Sequence, residues 1–177
     1  MSAGDPNVRR ADESDAGAIG GLLHDFNTEF NEITPGPEAV ADRVRELLAG
    51  DDFVVLVVGA EPRGLAVLRF RPSIWTPGLE CYIAELYVQP EHRRQGLGLA
   101  LMNAALDTAR RRGADYIEVA TGEDDTGARA LYERLGFVNR ERPPDGPVML
   151  MYERELRSPG RAGRRRPPAA SGGRPWR

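Results

Sequence analysis

The chain reads as an α/β protein built on one mixed β-sheet flanked by about four helices. Three features predict this class. β-branched runs of strand length alternate with apolar residues at helical spacing, glycines and prolines mark the boundaries, and a strand, glycine turn, helix and strand follow one another at the centre. The expected order is βααβββαβαββ. With 177 residues, 41% of them hydrophobic, the chain can bury one substantial core. A single domain is expected over residues 1–157, followed by a tail at 158–177.

The segment "VRRA" (Val8 to Ala11) predicts a short strand. The following "DESDAGAIGGLLHDFNTEF" predicts a helix with Asp12 or Ser14 as N-cap and Ile19, Leu22, Leu23, Phe26 and Phe30 at helical spacing, weakened by Gly20 and Gly21. After the turn "TPGP", a second helix starts with Pro37 in its first turn, places Val40, Val44, Leu47 and Leu48 on one face, and ends before Gly50. "FVVLVVG" and "LAVLRFRP" form antiparallel strands across "AEPRG", and "LECYIAELYVQP" is a long strand that stops at Pro90. A helix then begins near Gly98, with Met102, Ala105, Leu106 and Ala109 toward the sheet. Gly113 closes it, "DYIEVA" is a strand, and "DDTGARALYERLG" is a helix capped by Asp124 or Asp125. "FVNRE" and "VMLMYEREL" are expected to finish the sheet.

Composition excludes several mechanisms. All 24 basic residues are arginine, so there is no lysine for a Schiff base, a phosphate-binding GxxxxGK[ST] loop or a kinase lysine. Cys81 is the lone cysteine, and His24 and His92 are the two histidines, so neither an intrachain disulfide nor a Cys-based or three-histidine metal site can form, and no metal is expected. No apolar run reaches membrane-spanning length and the start lacks a secretory signal pattern, which makes a cytoplasmic protein without membrane partners the expectation. Residues 1–157 hold 18 arginines against 27 acids, a balance of −9, whereas the tail carries six arginines and no acid. Its Pro/Gly/Ser/Arg composition predicts disorder, and a solvated extension is favoured over nucleic-acid contact.

The stretch "PEHRRQGLGLALM" (Pro90 to Met102) brings two arginines onto two glycines at the start of a helix. Glycines let a ligand approach the backbone, and the first helical N–H groups at the positive end of the helix dipole suit an anion, phosphate above all. Arg93 and Arg94 add charge at the mouth. A glycine pair alone is weak support, and the dinucleotide pattern G-x-G-x-x-G fails because Leu101 occupies its third glycine position.

The longer segment "LYVQPEHRRQGLGLALM" resembles the acetyl-CoA signature of the GNAT superfamily of N-acetyltransferases. "ARALYERLGF" (Ala128 to Phe137) is similar to that family's second signature at the same relative place. The resemblance implies a GNAT-like twisted central sheet over about Val8 to Arg157 and acetyl-CoA as co-substrate. It assigns the cofactor pyrophosphate to Arg93, Arg94, Gln95, Gly96, Leu97, Gly98 and Leu99, and the pantetheine arm to the strand edge at Leu86, Tyr87 and Val88. Asp125 stands where the family often carries an asparagine near the pantetheine, and the resemblance places it as a cofactor contact.

By the same resemblance a neutral amine attacks the thioester, with Tyr132 as the acid for the leaving thiolate and Glu85 as the candidate base. For Glu85, an outward-facing ion-paired glutamate is an equal alternative; for Tyr132 the alternative is a half-buried packing tyrosine. Cys81 reads as a buried small hydrophobe and not as a nucleophile. The acceptor region is expected around Phe26, Glu29, Phe30 and Tyr82, where carboxylates and aromatics suit a cationic amine. The motifs look like aminoglycoside 3-N-acetyltransferases, which would make the chain an antibiotic-resistance enzyme. A polyamine, a small amine metabolite and a protein amine stay open, as do a homodimer and a non-catalytic acetyl-CoA sensor.

Overall fold

Caps, prolines and glycines mark several of the element bounds between Val8 and Arg134. The computed structural model describes residues 6–141, 145–152, 154 and 156. Its strands are β1 (Val8–Arg10), β2 (Phe53–Val58), β3 (Gly64–Pro72), β4 (Leu79–Val88) and β5 (Ala114–Val119). Its helices are α1 (Ala16–Glu29), α2 (Pro37–Leu48), α3 (Leu97–Arg111) and α4 (Thr126–Arg134). Two compact units divide between Val119 and Ala120; the first holds the sheet with α1, α2 and α3, and the second holds α4.

In the first unit the strands lie in the order β1-β2-β3-β4-β5, antiparallel from β1 to β4 and parallel between β4 and β5. Side-chain alternation sorts β2 and β3 into two faces. Phe53, Val55, Val57, Leu65 and Val67 meet Ile19, Leu22 and Phe26 of α1 and Val44 of α2. α3 packs across β2 to β5 on the other face, burying Leu101, Met102, Ala105 and Ala109. Leu101 was not among the residues expected inward, and Leu106 is half-buried. No helix among the described residues is long and apolar enough to cross a membrane.

β4 changes phase midway. Val67 pairs with Glu85 but Leu68 pairs with Ile83, so Ala84 is an extra residue, a β-bulge. Tyr82 lines the α1 and α2 face, and Ala84 and Glu85 then stand on that same face in succession, followed by Tyr87. Without the bulge Glu85 and Tyr87 would turn to the α3 face.

α1 follows a 3-10 turn (Glu13–Asp15) capped by Asp12, whose Oδ1 accepts the Ser14 N–H at 2.9 Å. The buried Asp15 carboxylate accepts both Arg9 guanidinium nitrogens at 2.7 Å and the Asp12 N–H at 3.0 Å. Those hydrogen bonds hold its carboxyl below the ordinary range. Gly20, a weakness by helix propensity, is where α2 approaches: an added Cβ would lie 2.5 Å from the Pro37 carbonyl oxygen and 2.8 Å from Ala41. Gly21 has nothing within 4 Å of that position.

In the second unit Asp125 caps α4, its Oδ1 accepting the Ala128 N–H at 2.9 Å, and Gly136 closes the helix with φ 85°. The two strands expected beyond it are a correction. Among the described residues they reduce to one antiparallel bridge, Arg140 to Val148. Val138, Leu150 and Tyr152 are exposed, so these segments lack the packed face that stabilises a strand pair. The basic tail lies outside the described residues.

Two outcomes follow for equilibrium unfolding in urea. Gly20→Val lowers stability by about 1–3 kcal/mol through overpacking, whereas Gly21→Ala raises it by up to about 1 kcal/mol. Because Asp15 is depressed, its contribution is present above the unfolded carboxylate pKa and is lost as pH falls through the folded one. Arg9→Gln therefore moves the acid-side loss of stability to higher pH, measured as a family of melting curves from pH 7 to pH 3.

Candidate acetyl-donor and acceptor site

The turn after β4 ends in a helix start without a cap. Gly96 is the N-cap residue of α3 with φ 83°, a left-handed conformation, and no side chain hydrogen-bonds back to this end. The first N–H to find an intrahelical acceptor is that of Ala100, bonded to the Gly96 carbonyl at 3.0 Å. By helix geometry the N–H groups of Leu97, Gly98 and Leu99 are left for an outside acceptor. Nothing lies within 4 Å of the position a Gly96 Cβ would take, so the approach is open. The helix begins at Leu97, one residue earlier than expected, and the left-handed glycine is Gly96; Gly98 sits inside the first turn.

Arg94 is also left-handed, with φ 64°, an uncommon state for a side-chain-bearing residue that costs on the order of 1 kcal/mol. Alternation of left-handed residues in a turn gathers successive N–H groups into a concave anion site. The Arg94 side chain forms no ion pair among the described residues and is exposed beside this turn. Gln95 donates through Nε2 to the Glu91 carbonyl at 3.2 Å.

β4 supplies a second feature. Its parallel ladder with β5 ends at Ile83 and Val119, five residues before β4 ends at Val88, and no described strand continues it. Leu86, Tyr87 and Val88 therefore keep their antiparallel pairing to β3 on one side; on the other, the Val88 carbonyl accepts the Arg93 Nε–H at 2.9 Å and the remaining outward main-chain groups are left for a partner. Such an edge can accept an extended chain bearing amides.

The face shared by α1 and β4 gathers the residues expected around the acceptor. Phe26 is buried, stacks on Tyr87 at 4.9 Å and meets Phe30 edge-on at 5.3 Å. Tyr82 and Phe30 are half-buried against this cluster, and Glu85 stands on the same face through the Ala84 bulge. Burial, reinforced by the nearby Glu29 charge, raises the Tyr87 phenol to about 12, so it stays protonated near neutral pH. Glu29 accepts both terminal nitrogens of Arg93, at 2.8 and 2.7 Å. Phe26 is thus core, and the Glu29 carboxylate is engaged by an arginine that had been expected at the phosphate mouth. The 64 residues separating the pair left no signal of it in the sequence; the adjacent apolar Ile83 and Ala84 were the legible sign of the bulge.

Among the other candidates, Cys81 lies outside this face. Cys81 is fully buried, and burial raises its thiol to about 11, which suits a packing residue and not a nucleophile. Asp125 and Tyr132 belong to the second unit. The former is engaged as the α4 cap; the latter is buried, its ring 5.9 Å from Phe137. Among the described residues no group of three His, Cys, Asp or Glu could hold a metal ion. In a thiol-reagent assay at pH 8, Cys81 should stay unreactive in the native protein and react at once in denaturant, and Cys81→Ala should retain wild-type cofactor affinity.

Comparison with known proteins bears on these geometries. The model of the acetyltransferase (GNAT) family matches residues 21–137. A crystal structure of a provisional acetyltransferase from Arthrobacter sp. FB24 superposes with a TM-score of 0.80 at 47% identity, covering 88% of this chain and 99% of that one. An aminoglycoside acetyltransferase from an uncultured soil metagenomic sample gives a TM-score of 0.64 at 27% identity, over 80% of this chain and 97% of its own. A thialysine N-epsilon-acetyltransferase of Caenorhabditis elegans is 28% identical over 121 residues, 67% of this chain and 74% of its own. An uncharacterized N-acetyltransferase of Methanocaldococcus jannaschii is 34% identical over 95 residues, so the chain spans 41% of that relative's length. The uncapped α3 start and the end of the β4–β5 ladder at Ile83 thus lie within a segment that the family model covers end to end, and the chain belongs to the GNAT acetyltransferase family.

Proposed function

We propose that this chain transfers the acetyl group of acetyl-CoA to a primary amine of a cationic small molecule, with an aminoglycoside as the leading acceptor. The observation that carries the acetyl-CoA reading is the uncapped start of α3 behind the left-handed Gly96. Three consecutive N–H groups at a helix N-terminus fit a pyrophosphate, and Arg94 adds a cation beside them. The main-chain edge of Leu86 to Val88 fits the amide-bearing pantetheine arm.

Three proton transfers accompany the chemistry: two from the attacking nitrogen and one to the leaving thiolate. The acceptor loses its ammonium proton to Glu85, directly or through water, and the nitrogen lone pair attacks the thioester carbon. A backbone N–H near Leu86 to Val88 stabilises the developing oxyanion. Collapse breaks the C–S bond, and the thiolate takes its proton from Tyr132, assigned this role by its place in "ALYERLGF". The former amine nitrogen sheds its second proton as the intermediate collapses, and an equivalent proton restores the Tyr132 hydroxyl through solvent. Glu85 releases the ammonium proton to water, so the products are the N-acetyl amide, the CoA thiol and one proton.

Acceptor class rests on charge and on likeness. Asp25 and Glu32 flank Glu29 along the end of α1, and the −9 balance of residues 1–157 steers cations toward the protein. The aminoglycoside acetyltransferase matched at 27% identity supports the specific reading. A small amine metabolite is the second reading, favoured by the thialysine acetyltransferase relative.

Thiol release from acetyl-CoA across a panel of aminoglycosides, polyamines, amino-acid amines and peptides should rise with aminoglycosides first. Tight acetyl-CoA binding with no acceptor-dependent release would make the chain a non-catalytic sensor. Gly96→Asp places a carboxylate on a strained left-handed residue facing the anion site, so acetyl-CoA binding by calorimetry should disappear while the circular dichroism spectrum is kept. Tyr132→Phe should lower kcat about a hundredfold with little change in acetyl-CoA affinity, and an unchanged kcat would remove the acid role.

A further inference from the structure

We propose that Arg93 is a positioning residue that fixes the end of β4 from α1, and that it does not bind the pyrophosphate. The inference deepens the acetyl-CoA reading of the turn and rests on it.

Each guanidinium nitrogen of Arg93 has an internal acceptor. Nε donates to the Val88 carbonyl at 2.9 Å, and the two terminal nitrogens donate to the two Glu29 oxygens at 2.8 and 2.7 Å. The guanidinium carbon lies 5.7 Å from the centre of the Tyr87 ring, which itself stacks on Phe26 of α1. One side chain therefore ties the last residue of β4, the tyrosine just before it and the C-terminal residue of α1 into one assembly. The fork geometry matters, because a lysine ammonium could not span the carbonyl and both carboxylate oxygens in one plane.

The need for such a tie is local. β4 has lost its β5 partner after Ile83, so the orientation of its last peptide planes is held from the β3 side alone. Fixing the Val88 carbonyl restrains the peptide that leads into the turn, and with it the main-chain groups offered along Leu86 to Val88. The adjacent arginine behaves differently. Arg93 has extended backbone (φ −67°, ψ 161°) and Arg94 is left-handed, so the two side chains part, and Arg94 makes no ion pair among the described residues. Of the two arginines that the motif brings to the turn, one is structural to the strand edge and the other is available to an anion.

The test compares acetyl-CoA with acetyl-pantetheine, which lacks the pyrophosphate and nucleotide, read as turnover or as competition against acetyl-CoA. Arg93→Gln and Glu29→Gln should each raise KM or Ki for both donors by about threefold to tenfold, and the double variant should be no worse than either single one. Arg93→Lys should not rescue. A loss in Arg93→Gln confined to acetyl-CoA, with acetyl-pantetheine at its wild-type value, would show that Arg93 binds phosphate and overturn the proposal. So would a Glu29→Gln effect confined to the acceptor KM, or additive losses in the double variant. A lowered melting temperature with both donor constants unchanged would mean a stabilising contact only, and would overturn it as well. Wild-type acetyl-CoA affinity in Gly96→Asp would instead sink the underlying reading of the turn.

Discussion

β4 cannot keep both of its neighbours, and the working end of the first unit is arranged around that constraint. It pairs with β3 along its whole length, yet its parallel ladder to β5 stops at Ile83. The bulge at Ala84 coincides with the parting. An extra residue increases local twist and bends the strand, and here it turns Glu85 and Tyr87 onto the face covered by α1. A single inserted residue thus sets the side-chain phase of the strand end and accompanies an open backbone edge.

The α3 start depends on the same strand, because the turn that delivers Gly96 begins where β4 ends. An N-cap side chain satisfies the 3-10 turn before α1, through Asp12, and the start of α4, through Asp125, whereas α1 and α2 begin without one, α2 behind Gly36. At α3 a glycine stands in the cap position and the donors are left for a partner from outside. Glycine in place of a capping side chain costs only about a few tenths of a kcal/mol, and this helix start follows the open strand edge. Two left-handed residues within three positions tell the same story of local cost accepted for geometry.

Much of the candidate site was legible because it is local. The glycine turn, its arginines and the apolar helix behind them lie within a dozen consecutive residues, and anion binding at a helix start needs little else. Element order was readable for a similar reason, since caps, prolines and hydrophobic period act over one or two turns. The terminal strands were misread because the apolar run in "VMLMYEREL" specifies a strand only where a face is available to bury, and Val148, Leu150 and Tyr152 are exposed. The role of Gly20 was misread in the opposite sense: propensity marked it as a defect, while the close approach of α2 makes the missing side chain a requirement.

By itself the sequence determined the α/β class, the places where helices start and stop, and the chemistry available at the turn, since each depends on spacing within a few residues. Tertiary structure decided how the charges were used. Arg93 and Arg94 are neighbours with the same side chain, yet one is drawn into Glu29 and Val88 while the other is left exposed beside the turn. Nothing local distinguishes them. The difference comes from folding α1 against β4, which brings a carboxylate 64 residues away within 2.7 Å of one guanidinium, and no short-range pattern encodes that meeting.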